Sequence, residues 1–237
     1  MSGLRAASGG HRIERVHGTD GWAITVETMA EPDGAVAGAV LTVPAAKHER
    51  DGWGPVLTAA LLERGFVVSA TDIRGRGDSR VPRSMSSLPP GQLRSVPGDV
   101  AAAIDLVASR PDVADGTIVV MGEQDTANAA ARAALADDRV GGVVLVSPRL
   151  GPHLLAQAER LWSEQRSVPV CVIASKEDRV GLESAVGLFA RSRDPRSRLR
   201  LVDGVGSGTT MFAAWQYLRR DQPPLEQWLA AWAASVV

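Results

Sequence analysis

The residues with the clearest chemical potential lie in TIVVMGEQDTANAAARAA, residues 117–134. Ile118, Val119, Val120 and Met121 read as a buried strand. Gly122 permits a sharp turn, and a helix of small residues follows. This strand–turn–helix layout holds a catalytic Ser, Cys or Asp at the C-terminal edge of a sheet, in the pattern G-x-S-x-G. Here the pattern is Gly122-Glu123-Gln124-Asp125-Thr126. The nucleophile position holds Gln124, whose amide cannot act as an alkoxide, thiolate or carboxylate nucleophile. Glu123 is expected to pack or pair beneath the turn. Asp125 either caps the following helix or faces a pocket. His48 offers an imidazole suited to acid–base work, or is a solvated loop histidine.

These groups need a scaffold, and the flanking pattern supplies one. Residues 12–17 and 22–29 flank Gly18-Thr19-Asp20-Gly21 and predict a hairpin. Continuous apolar runs at 38–43, 66–71, 142–147 and 168–174 predict strands covered on both faces. A shorter strand is expected at 198–202. Helices are expected at 55–64, 98–110, 124–136, 152–166 and 182–192, then near 211–220 and 224–235. The stretch 81–97 is rich in Pro and Ser and reads as irregular. Strands alternating with helices imply a mostly parallel sheet with helices on both faces. Residues 1–10 are expected to be a flexible N-terminus, and 11–237 a single domain.

Composition removes several classes of function. A chain of 237 residues fits one medium α/β domain. A net charge of −1 gives no reason to expect nucleic acid or an acidic membrane as partner. The single cysteine, Cys171, sits in an apolar strand and reads as a buried structural thiol. No Cys or His spacing indicates a metal site, and no cofactor is expected. MSGLRAASGGHR has no apolar signal core, and no run is long enough to span a bilayer. A cytoplasmic protein is the expectation. Abundant Ala and Arg with scarce Lys suggest a bacterial origin.

Five stretches, in chain order, resemble the α/β-hydrolase superfamily, in the manner of its dienelactone-hydrolase and peptidase-like members. LTVPAAKHERDGW resembles the oxyanion loop L-x-H-G-x-G-x-x-x-x-x-W. FVVSATDIRGRGDSR resembles the turn D-x-R-G-x-G-x-S. VVMGEQDTANAA resembles the nucleophile elbow. VPVCVIASKEDRV resembles the strand that delivers the catalytic acid, and LVDGVGSGTTMF the G-x-x-H-G-T loop that delivers the histidine. The resemblance covers about residues 12–235. It implies an α/β-hydrolase fold with a central sheet of about eight strands and a minimal lid.

Carried over position by position, the resemblance places Gln124 at the nucleophile, Asp178 at the acid and Ser207 at the histidine. Pro44-Ala45 replace the His-Gly pair of the oxyanion loop. A serine nucleophile needs a base, and the base needs an orienting acid. Neither Gln124 nor Ser207 meets its requirement, so Asp178 has nothing to orient and is expected to bond Ser207 or backbone groups. The expected pocket is lined by Ala45, His48, Gln124, Asp125 and Ser207. The first reading is a catalytically degenerate protein that binds a small carbonyl-bearing ligand there, or a protein partner at its surface. The alternative is a cyclase, isomerase or lyase-like enzyme using His48 and a carboxylate such as Asp125. The third is an ester or thioester hydrolase with a relocated active site.

The remaining motifs have structural explanations. Trp215, Trp228 and Trp232 are spaced for core packing. The arginine-rich run 191–200 reads as a solvated surface turn. Arg74-Gly75-Arg76-Gly77 reads as a structural turn, not a phosphate loop. His153 is placed at a surface helix start, and His11 and His17 are remote from the site.

Overall fold

The computed structural model describes residues 10–31, 36–80, 88, 92, 94–149, 167–203, 206–219 and 221–237. Eight strands form one sheet: β1 (Arg12–His17), β2 (Ala23–Met29), β3 (Gly38–Val43), β4 (Phe66–Asp72), β5 (Ile118–Glu123), β6 (Val140–Val146), β7 (Val170–Ser175) and β8 (Arg198–Val202). Their order is β1-β2-β4-β3-β5-β6-β7-β8. The β1–β2 and β2–β4 pairs are antiparallel, and every other pair is parallel. The interior strands are apolar on both faces because helices cover both. Ile118 and Val120 of β5 point into one core, and Val119 and Met121 into the other.

Six helices are described: α1 (Gly54–Leu62), α2 (Val96–Ala108), α3 (Ala127–Leu135), α4 (Arg179–Phe189), α5 (Thr210–Leu218) and α6 (Leu225–Ala234). The first core is closed by Val100 and Ile104 of α2, Ala130 and Ala134 of α3, and Leu188 of α4. The second is closed by Leu57 and Leu61 of α1, Phe212 and Trp215 of α5, and Leu229 and Trp232 of α6. The small residues of α3 have a steric reason. A Cβ on Gly122 would stand 2.6 Å from Ala130 Cβ and 2.8 Å from Ala127 Cα, so only glycine lets the helix lie this close to β5.

The expected hairpin, strands and described helices are present, with ends shifted by a few residues, as is usual for frayed ends. The helix expected at 152–166, His153, most of 81–97, and residues 1–9 of the N-terminus expected to be flexible lie outside the described residues. Trp215 and Trp232 are buried and Trp228 is partly buried, as their spacing predicts. Arg200 lies 5.6 Å from both the Trp215 and Trp228 ring centres. Within the arginine-rich run, Arg196 pairs with Asp194. No helix of the described residues is long and apolar enough to cross a membrane.

In the turn after β4, Arg74 is a structural tie. Arg74 is fully buried and donates to Asp99 at 2.7 and 2.6 Å and to Asp20 at 2.6 and 2.9 Å. It also stacks 5.3 Å from the Trp22 ring centre. One guanidinium thus ties the β1–β2 hairpin, the β4 turn and α2 together.

Candidate functional site

Sheet register sets the site. Glu123, the last residue of β5, pairs with Val146, the last of β6. The next residue on each strand is Gln124 or Ser147. These are the two non-glycine residues with positive φ among the described residues, at 48° and 46°. Positive φ costs an ordinary side chain about 1–3 kcal/mol and persists only where surroundings enforce it. Here the enforcement is visible. Gln124 N donates to Val146 O at 2.9 Å, and Arg149 N donates to Gln124 O at 3.0 Å. Ser147 N donates to Ile173 O at 2.7 Å. The turn is tight and strained, with the buried amide of Gln124 at its centre.

Gln124 is 5% exposed. Its Nε2 donates to Ser207 Oγ at 3.3 Å. The amide–hydroxyl contact therefore stands where the resemblance places nucleophile and base. The loop around Ser207 is held down further. Gly208 N donates to Ser147 Oγ at 2.8 Å, and Thr209 donates to Glu123 Oε1 through N at 2.7 Å and Oγ1 at 3.1 Å. A Cβ on Gly208 would meet Glu123 Oε1 at 2.3 Å and Gln124 Nε2 at 2.5 Å.

Glu123 does more than pack. Its side chain is fully buried. Oε2 accepts from Ala45 N at 3.1 Å and faces His48 Nδ1 at 3.4 Å. Together with the Thr209 contacts, one carboxylate joins the loop after β3, the elbow and the loop after β8. His48 is a quarter exposed and backed by Gly52, whose Cβ position lies 2.8 Å from His48 Cβ. The imidazole therefore meets Glu123, not Asp125 or Asp178.

Asp125 does not cap α3. The cap position is Thr126, with no side-chain cap bond. Asp125 Oδ1 instead accepts from Ala46 N at 3.0 Å. The reason is local: the loop after β3 presents an unpaired N–H beside the elbow, and a carboxylate one residue before the cap reaches it. Ala46 directly follows Pro44-Ala45, which stand where the resemblance places the His-Gly pair of the oxyanion loop. Its N–H is engaged.

Asp178 is the N-cap of α4, its Oδ1 accepting from Gly181 N at 3.2 Å. Oδ2 is buried with no partner, and no bond joins it to Ser207. Sequence reasoning missed Ser147 and Thr209. Ser147 carries one legible signal: it ends the apolar run of β6 next in sheet order to the elbow strand. Among the described residues no group of three or more His, Cys, Asp or Glu side chains gathers to hold a metal. The two described cavities, about 300 and 450 Å³, both include Arg50 and Glu27 in their walls; no triad-equivalent residue lines either.

The sheet order and the tight strand–turn–helix after β5 make an α/β-hydrolase-like fold. Solved structures share it along nearly the whole chain. The dienelactone hydrolase of Anabaena variabilis superposes with a TM-score of 0.75 over 98% of this chain and 100% of its own, at 16% identity. A hyperthermophilic esterase of Pyrobaculum calidifontis gives 0.68 over 97% and 84%, at 18% identity. A 2,6-dihydroxy-pseudo-oxynicotine hydrolase gives 0.68 over 94% and 68%, at 16% identity. These likenesses establish the fold. No protein-family model and no curated protein sequence matches the chain.

Proposed function

We propose that this chain is a hydrolase-fold protein without acyl-enzyme chemistry, which uses the elbow site to bind a small molecule. A protein partner at its surface is the other form of the same reading. The observation that carries it is Gln124, held at φ 48° and bonded to Ser207 where a nucleophile would meet its base. The capture of the Ala46 amide by Asp125 supports it independently. An oxyanion donor contributes about 10²–10³ in rate where it acts, and a loop amide bound to the chain's own carboxylate is not free to act.

The test is hydrolysis of p-nitrophenyl acetate. Wild type is expected to match the buffer background. The double variant Gln124→Ser, Ser207→His is expected to stay within about tenfold of it, because Asp125 still occupies the Ala46 amide. Adding Asp125→Ala is expected to raise the rate at least another tenfold. Turnover by wild type would sink the reading.

A second reading draws on the His48–Glu123 contact. A carboxylate behind an imidazole orients it for proton transfer, which suits acid–base chemistry on a bound carbonyl compound. Loss of wild-type turnover in His48→Ala, for any substrate found, would favour it.

A further inference from the structure

Two cavities meet at Arg50, and both have Glu27, Arg50 and Asp51 in their walls. Sheet register and small side chains open the larger one, of about 450 Å³. Glu27 of β2 pairs with Ala70 of β4, and Ala70 with Thr42 of β3, so the three stand in one row across the sheet. The row continues the face on which Val40 and Val68 enter the second core. The short 3₁₀ turn Arg50–Trp53 and α1 wall the opposite side. Alanine at 59 and 70 and glycine at 54 leave the space between them unfilled. Met29, Trp53, Pro55 and Leu62 give it apolar walls. The threonines add no free hydroxyl proton. Thr42 Oγ1 donates to Ser69 O at 3.4 Å, and Thr58 Oγ1 to Gly54 O at 3.2 Å. Size and lining are those of a chamber for a small apolar group.

The smaller cavity, of about 300 Å³, is polar, with Glu49, Gly77, Asp78 and Arg80 beside the three shared residues. Its wall sets four carboxylates against two guanidinium groups. Arg50 is already over-matched: it donates to Glu27 at 2.7 Å, to Asp78 at 3.0 Å and to the buried Asp72. Glu49 and Asp51 are exposed and have no cationic partner among the described residues. A positive group is attracted here and a negative one repelled. That charge alone would suit any small cation. The apolar chamber opening beside it is what selects an amphiphile.

We propose that the adjoining cavities bind a small amphiphilic amine, its alkyl chain in the chamber beneath α1 and its ammonium group among Glu49, Asp51 and Asp78. Gln124, Asp125 and Ser207 line neither cavity, so this site stands or falls independently of the elbow.

Calorimetric titration with octylamine, 1-octanol and octanoate, which share a chain and differ in head group, tests this. Octylamine, cationic at pH 7 like the lysine side chain, is expected to bind at least tenfold tighter than octanol, and octanoate weakest. The double variant Glu49→Gln, Asp51→Asn is expected to weaken octylamine at least fivefold and leave octanol unchanged, and added salt to act in the same direction. Ala59→Phe, at an exposed position of α1, fills the chamber and is expected to weaken both. Glu183→Gln, on the outer face of α4, leaves all three unchanged. Octanol or octanoate binding as tightly as octylamine would overturn the proposal. Octylamine binding that ignores Ala59→Phe, or ignores the double variant, would place the ligand elsewhere and overturn it too. So would octylamine that does not bind.

Discussion

Glu123 is the residue on which the site depends most. It is fully buried, has no strong cation beside it, and is satisfied by three donors from two loops plus the His48 contact. A buried carboxylate is tolerated only when its lone pairs are occupied in this way. Glu123→Gln puts an NH₂ where an acceptor is needed, facing either Ala45 N or Thr209 N. The expected cost is about 2 kcal/mol. Denaturant unfolding would measure it, and faster hydrogen exchange at the Ala45 and Thr209 amides would locate it. An unchanged midpoint would mean that the two loops are held by packing alone.

At the scale of elements, the loop after β8 is latched to two strand ends by Ser147, Glu123 and Gln124. Gly208 sits at the point of closest approach with φ 65°. Gly208→Ala places a Cβ 2.3 Å from Glu123 Oε1, so the loop must lift. Gly116 is a useful reference: its φ is 79° and a Cβ there meets nothing within 4 Å. Gly116→Ala is expected to cost about 1 kcal/mol, the left-handed penalty alone. Gly208→Ala is expected to cost about 2 kcal/mol more, from the collision with the buried carboxylate. Equal costs in thermal unfolding would show that the latch contributes nothing.

At the scale of the whole molecule, two acids, the exposed Asp20 and the buried Glu226, give stability opposite dependences on pH. Bonding to Arg74 holds the Asp20 carboxyl down to about 2. Its contribution is present above the ordinary carboxylate range and is lost as pH falls through the folded value. Burial raises the Glu226 carboxyl, which is 7% exposed with Oε2 unpartnered. An acid raised on folding costs stability while ionised, above its folded value, and the cost fades as pH falls toward the unfolded one. Glu226→Gln is therefore expected to stabilise the protein at pH 7 by about 1 kcal/mol. The gain should shrink on acidification, as melting temperatures across pH would show. A destabilised Glu226→Gln would mean that the helix-terminus interaction of α6 outweighs burial.

Much of this was legible in the order of residues. The apolar run of β3 marked that strand at its observed bounds, because a strand buried on both faces leaves a local signature. The small residues after Gly122 announced the close approach of α3 to β5. That Gln124 and Ser207 stand where the resemblance places nucleophile and base was also legible, since side-chain chemistry belongs to the residue itself. Tertiary structure alone decided what the residues around them meet. That Asp125 would take the Ala46 amide, that His48 would meet Glu123, and that Ser147 would anchor Gly208 are contacts across 79, 75 and 61 positions. Such pairs depend on which strand ends the sheet order brings together, and local periodicity carries no record of that order.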